Sequence, residues 1–112
     1  MKKAARASAT YEMVRQTALS LSNVKEGTAW GYPAFRASGK IFLCFRKDLD
    51  AVSIRVPFDQ RDEMIEASPE TYFTTEHYEN YPWVLVRIKM LDPSILLDLV
   101  RIGWKTVRSS KR

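Results

Sequence analysis

Two residues of the chain have side chains that often act together as nucleophile and base, the single cysteine Cys44 and the single histidine His77. An imidazole within reach of a thiol would generate a reactive thiolate. Cys44, however, lies between Leu43 and Phe45 in an apolar run, where a cysteine behaves as a small buried hydrophobic residue. His77 belongs to a polar segment far along the chain. We therefore predict a structural role for Cys44, no catalytic residues and no enzymatic activity.

Metal and cofactor sites find equally little support in the sequence. A metal site needs three or four ligands, and one histidine with scattered carboxylates does not form such a set. The four glycines are spread through the chain and form no phosphate-binding loop. The sequence therefore predicts no metal and no cofactor.

The lone cysteine and the absence of long apolar runs bear on location. One cysteine excludes a disulfide within the chain, which favours a reducing compartment. The basic start of the chain is not followed by the apolar stretch of a signal peptide, and no run approaches the ~18 apolar residues of a membrane span. We expect a cytoplasmic protein without membrane contact.

Aromatic side chains cluster late in the chain, where Tyr78, Tyr81 and Trp83 bracket His77 and Asn80. Such rings would stack on a nucleobase or another planar ligand. Alternatively, the rings fasten their loop to the domain, because Tyr and Trp often bury the ring and expose the polar tip. Both interpretations stay open at this point.

Basic side chains concentrate in segments 29–47, 51–56 and 83–89, which contain no aspartate or glutamate. The formal net charge of +5 is less informative, because six of the 18 basic residues lie near the termini and leave 12 against 13 acidic residues in between. A basic face with interleaved aromatic rings is what phosphate attraction and base stacking require. The basic residues of these segments are Arg36, Lys40, Arg46, Lys47, Arg55, Arg87 and Lys89.

Period-two alternation of apolar and polar residues predicts the strands that carry these groups. A hairpin is predicted over 30–47 around a Ser38-Gly39 turn, followed by strands at 51–56, 72–73 and 83–89. In this phase Arg46, Arg55, Arg87 and Lys89 lie beside Trp83, opposite the apolar face. The predicted core consists of Val14, Leu21, Ile41, Leu43, Phe45, Val52, Ile54, Val84, Val86, Ile88, Leu96 and Val100.

Three helices are predicted, at 10–21 with Thr10 as the N-cap, at 59–67, and from Pro93 to 108. The order is α-β-β-β-α-β-β-α. At 112 residues the chain is long enough for one core. We expect a single α+β domain, with an antiparallel sheet of about five strands and helices on one face. The domain is placed at 10–108, between basic flexible tails at 1–9 and 109–112.

The chain also resembles a known family. The stretches that carry the likeness are WGYPAF at 30–35 with GKIF at 39–42, and HYENYPWV at 77–84, together with VPF at 56–58 and Trp104. Their order and spacing are similar to those of the YjbR-like (MmcQ/YjbR) family. The resemblance implies the same element order, a fold like that of secretion chaperones, and a DNA-binding label, but it implies no catalytic residue.

Together these features favour a DNA-binding module that uses a basic sheet face flanked by aromatic residues. The alternative is a protein-binding or chaperone-like adaptor, or a homodimer interface, because an acidic protein segment would satisfy the same arginines. Basic residues on an exposed sheet face also protect against edge-to-edge aggregation. The predicted nucleic-acid-binding residues are Arg36, Arg46, Arg55, Arg87, Lys89, Tyr81 and Trp83.

Overall fold

The computed structural model describes residues 8–109 and has the predicted α+β architecture, an antiparallel sheet covered on one face by helices. The sheet order is β1-β2-β3-β4-β6-β5. Short 3-10 turns follow β3, follow β6 and precede α3. The elements are α1 Tyr11–Leu19, β1 Val24–Ala29, β2 Tyr32–Ala37, β3 Lys40–Arg46, β4 Ala51–Arg55, α2 Phe58–Ala67, β5 Tyr72–Phe73, β6 Trp83–Arg87 and α3 Leu96–Ser109.

The sheet has one strand more than the predicted order, because β1 pairs antiparallel with β2 along its whole length. The β1–β2 and β2–β3 hairpins each turn through two residues with positive φ, as a type I′ turn requires. Trp30 and Gly31 have φ of 54° and 83°, and Ser38 and Gly39 have φ of 55° and 76°. The predicted Ser38-Gly39 turn is confirmed, and the Trp30-Gly31 turn adds the edge strand.

A bulge in β3 changes the predicted phase of two residues. Phe35 pairs with Leu43 but Arg36 pairs with Ile41, so Phe42 is the extra residue. Phe42 is therefore buried in the core, while Ile41, predicted in the core, pairs with Arg36 on the opposite face and is half-buried. Leu21, also predicted in the core, is half-buried against it, and the other ten predicted core positions are buried.

The helices pack against the face that carries Leu43, Ile54 and their strand neighbours. The predicted N-cap of α1 is confirmed, since the Thr10 hydroxyl accepts a hydrogen bond of 3.2 Å from the Met13 amide. In α3, Gly103 lies so close to the sheet that a Cβ there would be 3.0 Å from the Phe42 carbonyl oxygen. The missing side chain lets the helix sit directly on β3 and β4.

The structure differs from the expectation at Ala9 and at the end of the last predicted strand. Ala9, assigned to the N-terminal tail, is buried and donates its amide to the Leu91 carbonyl at 2.9 Å. Strand β6 ends at Arg87, and Lys89 lies in the 3-10 turn Ile88–Met90 instead of continuing the strand. The remaining tail segments, 1–7 and 110–112, lie outside the described residues.

Candidate nucleic-acid interface

Three of the predicted arginines, Arg46, Arg55 and Arg87, lie on the sheet face opposite α1 and α3. Residues paired across neighbouring strands form rows, and the arginines occupy the two rows on either side of a central one. Strand pairing places Cys44, Ser53 and Leu85 side by side in the central row. Arg46 and Arg87 both pair with Ala51 at one end of the sheet, and Arg55 pairs with Trp83 at the other end. The predicted strand phase is therefore correct for all three arginines.

A loop over residues 74–82, the aromatic loop, forms one wall of a cavity on this face. Arg61 in α2 holds the loop from below, since its buried guanidinium Nη1 donates to the carbonyls of Glu79 at 3.0 Å and Tyr81 at 3.1 Å. A third, longer bond of 3.4 Å goes to the Tyr78 carbonyl. Because hydrogen bonds from a charged guanidinium are strong and geometrically specific, Arg61 fixes the path of the loop.

The cavity has a volume of about 610 Å³, within the range of small-ligand sites. Cys44 and Ser53 of the central row form its floor, and aromatic rings form most of its walls. Two of these rings remain open to solvent, Trp30 at 78% and Tyr81 at 56% exposed. The lining residues are Trp30, Tyr32, Cys44, Arg46, Ser53, His77, Tyr78, Tyr81 and Trp83.

Arg46 lines the cavity, and its hydrogen-bond partners are residues of the protein itself. Its Nη1 donates to the Tyr78 hydroxyl at 2.7 Å, and its Nε and Nη2 donate to the two Asp48 carboxylate oxygens at 3.0 and 2.8 Å. The bonds to Asp48 raise the pKa of Arg46 and lower that of the carboxyl. The guanidinium also lies over the Tyr32 ring, with 4.9 Å to its centroid. Arg46 therefore orders the tyrosine wall, and its charge is neutralised.

The other predicted basic residues differ in whether a carboxylate neutralises their charge. Among residues 8–109, Arg36, Arg55 and Arg87 form no ion pair, whereas Lys89 pairs with Asp50 at 3.3 Å. The three arginines donate only to backbone carbonyls. Arg55 stacks on Trp83 at 5.1 Å and Arg87 on the Phe73 ring at 4.1 Å. These guanidiniums are held in place by the fold while their charge stays available to an anion.

The structure brings Cys44 and His77 to the same cavity, contrary to the expectation that they lie apart. Burial raises the pKa of the Cys44 thiol, against smaller opposing effects of Arg46 and Arg36. His77 is exposed and makes an edge contact with the Tyr78 ring. No hydrogen bond joins the cysteine to the histidine among the described residues, so the pair lacks the contact that would activate the thiol.

Residues 8–109 contain neither a cluster of metal-ligating side chains nor a membrane-spanning helix. No group of three or more His, Cys, Asp or Glu side chains is arranged to hold a metal ion. No helix in that part of the chain is long and apolar enough to cross a membrane.

The sequence profile of the YjbR family matches residues 19–106, most of the described domain. The chain belongs to the YjbR family. A crystal structure with a DUF419 domain, Deinococcus radiodurans DR2400, has a TM-score of 0.78 and 17% identity over 91% of this chain and 80% of that chain, which supports the fold alone. The implied likeness to secretion chaperones stays a prediction.

Curated relatives share part of the sequence. Uncharacterized proteins of Mycobacterium tuberculosis and Mycobacterium bovis are 36% identical over 56 residues. The match spans 49% of this chain and 43% of each relative, so the chain covers less than half of their length.

The two stretches that carried the likeness to the YjbR family meet at the cavity. Trp30 and Tyr32 come from the first stretch, and His77, Tyr78, Tyr81 and Trp83 come from the second. Trp30, Tyr32 and Tyr78 were not among the predicted binding residues. The detectable signal for Trp30 was a Trp-Gly pair between two segments of strand character, which indicates a tight turn with the indole at its tip.

Proposed function

We propose that this chain is a nucleic-acid-binding module, with DNA as its first candidate ligand, and that it binds through the cavity face without catalysis. The observation that carries the proposal is that Arg36, Arg55 and Arg87 have no carboxylate partner in the described residues and lie on strands β2, β4 and β6, which also contribute Tyr32, Ser53 and Trp83 to the lining of the aromatic cavity. Cations of this kind attract phosphates, and aromatic rings stack on bases.

The near balance of charges between the two tails implies that binding depends on contacts at short range. The residues between the tails carry about as many acidic as basic groups, and the exposed Glu76 and Glu79 belong to the aromatic loop itself. A weak overall field gives little long-range steering. We therefore expect binding to depend on the fixed arginines at contact distance and to weaken with salt.

The absence of catalysis is part of the same proposal. The raised pKa keeps Cys44 protonated at neutral pH, and a thiol is a much weaker nucleophile than a thiolate. We also retain a cytoplasmic location as a proposal, because a nucleic-acid ligand and an unpaired cysteine both fit a reducing compartment.

The salt dependence of DNA binding tests the proposed function. Arg55→Gln/Arg87→Gln is expected to reduce the log-log salt slope on labelled duplex DNA by about two units, because each neutralised phosphate contributes about −0.9. Removing residues 1–7 and 110–112 is expected to cost less affinity at moderate salt, since fixed side chains lose less entropy on binding than chain ends. Fluorescence anisotropy over a salt series gives both quantities.

A matched control removes the same charge from the helix side. Arg101→Gln/Lys105→Gln, both on α3, lowers the net charge equally but leaves the cavity face intact, so affinity and slope are expected to stay near those of the intact protein. Equal losses in the two double variants would show that only net charge matters. If only the trimmed protein loses binding, the sheet face is not the site.

A second candidate function, the protein-binding or chaperone-like adaptor, draws on a different surface. On the helix side, a groove of about 280 Å³ between α1 and the start of α3 is bordered by Met13 and Leu97, which are 39% and 42% exposed. Exposed apolar clusters often mark protein contacts. If the intact protein binds neither DNA nor RNA at low salt, this function replaces the nucleic-acid proposal.

A further inference from the structure

The β1–β2 turn places a tryptophan in a conformation that this residue type rarely adopts. Trp30 has φ of 54°, in the left-handed region, where Asn, Asp and Gly are favoured and bulky residues are outliers. Its side chain is 78% exposed, so the domain gains little packing in return. Residues held in such backbone conformations cluster at active sites and ligand-binding sites.

The place of Trp30 in the fold indicates what it contacts. Trp30 in this turn lines the cavity together with Tyr81 of the aromatic loop and Trp83 of β6. A planar group that enters this cavity would therefore contact aromatic side chains from separate segments of the chain. The Ser53 hydroxyl on the floor, which donates to the Cys44 carbonyl at 3.3 Å, still has lone pairs to accept from an exocyclic amine.

Shape excludes a base that remains paired. In a duplex the ring faces are covered by neighbouring base pairs and only the base edges reach the grooves. A concave site walled by rings can take a base only after it has left the stack, as in proteins that bind single strands or flipped bases. Arg55 and Arg87 do not line the cavity, but strand pairing places them in the rows on either side of the row that contains Ser53, where the phosphates on either side of that base would pass.

We propose that the cavity binds an unpaired nucleobase, with Trp30 as its outer stacking platform, so that the protein prefers single-stranded or unpaired nucleic acid to duplex. This inference rests on the proposed nucleic-acid function and adds the class of ligand. The arginines supply attraction that is independent of the bases, and the aromatic cavity supplies the selection for an exposed ring.

Three labelled ligands separate phosphate attraction from base binding. They are a single-stranded oligodeoxyadenylate of about 12 nucleotides, an abasic strand of the same length, and a duplex of the same length. Since one stacked base contributes about 5- to 150-fold in affinity, the intact protein is expected to bind the single strand at least about 5-fold more tightly than the other two. Oligoriboadenylate of the same length, measured in parallel, identifies whether DNA or RNA is the better source of the base.

The decisive variant is Trp30→Asn, because asparagine suits the left-handed turn. Its unfolding midpoint is expected to stay the same or rise, while single-strand affinity falls about 5-fold or more and duplex affinity does not change. Tyr81→Ser, at a side chain that is 56% exposed, removes a second aromatic ring from the cavity and provides a second variant. Leu97→Ala, an exposed apolar residue on the helix side, is the matched control and is expected to bind like the intact protein.

Different binding results would refute this inference and the proposed function. If the intact protein binds single-stranded, abasic and duplex ligands alike, nucleic-acid binding stands but the base site is refuted. A single-strand preference that survives in both Trp30→Asn and Tyr81→Ser also refutes it, because the base then lies elsewhere. If none of the ligands binds at low salt, the proposed function itself is wrong.

Discussion

Replacing Arg61 with methionine is expected to lower the free energy of unfolding by about 2–3 kcal/mol and to release the aromatic loop. The guanidinium is buried, with the side chain 8% exposed, and donates to carbonyls of Tyr78, Glu79 and Tyr81. Hydrogen bonds to a charged group contribute about 1.5–3 kcal/mol, whereas the Tyr78 and Tyr81 carbonyls would keep the amides of Tyr81 and Trp83 as donors. Urea denaturation measures the stability, and amide hydrogen exchange at 76–81 measures the release of the loop.

The controls for Arg61 distinguish charge from geometry. Arg61→Lys keeps the positive charge but lacks the planar fork that reaches several carbonyls, so we expect an intermediate loss. Gln60→Met, at an exposed neighbour on α2, is expected to change stability by less than about 0.5 kcal/mol. Unchanged exchange rates in the loop of Arg61→Met would contradict the view that Arg61 sets its path.

Replacing Gly103 with valine is expected to destabilise the domain by about 2–3 kcal/mol. Even the first added carbon would lie 3.0 Å from Ile54 Cγ2 and from the Phe42 carbonyl oxygen, and 3.2 Å from the Arg55 carbonyl oxygen. Two of these atoms belong to the backbone of central strands, which has little freedom to move. Overpacking of this kind costs about 1–3 kcal/mol, more than the few tenths that valine gains over glycine as a helix former.

A graded series at Gly103 tests this reading of the helix–sheet contact. Gly103→Ala adds only the Cβ and gains up to about 1 kcal/mol of helix propensity, so its net loss is expected to be clearly smaller than that of valine. Lys105→Val controls for valine in an exposed position of α3 and is expected to cost less than about 1 kcal/mol. If Gly103→Val is as stable as Lys105→Val, α3 does not lie as close to the sheet as described.

Local patterns predicted the fold class and the direction of the key arginines. In β4 and β6, β-branched residues recur at every second position (Val52, Ile54, Val84 and Val86) and define one buried face, so Arg55 and Arg87 had to point the other way even though Ala51 and Leu85 interrupt the polar alternation. The cap at Thr10 was predictable for the same reason, because the signal is contained within a few neighbouring residues.

Features that depend on tertiary pairing were missed. Strand β1 has the sequence VKEGTA, with mostly exposed or half-buried residues, because an edge strand does not need an apolar face. The period-two pattern also gave the wrong face for Phe42, because the bulge inserts one residue that only the pairing with the partner strand reveals. The phase after such an insertion cannot be read from one strand alone.

The cavity itself was beyond the sequence patterns. The aromatic loop was recognised as a cluster of rings, but nothing local indicated that Arg61, in an acidic helix, would bind its carbonyls and hold it against the sheet. For the same reason His77 was expected to lie far from Cys44. Contacts between segments distant in the chain decide the site, and single-sequence periodicity does not encode them.

The most direct test of the account is to identify which residues touch the bases. A single strand carrying one photoreactive iodouracil is irradiated in complex with the intact protein, and the cross-linked peptides are mapped by mass spectrometry. We predict adducts at Trp30, Tyr81 or Trp83, the rings that line the cavity. Adducts confined to segments 1–7 and 110–112 or to the helix side of the domain would contradict a base site on the sheet face.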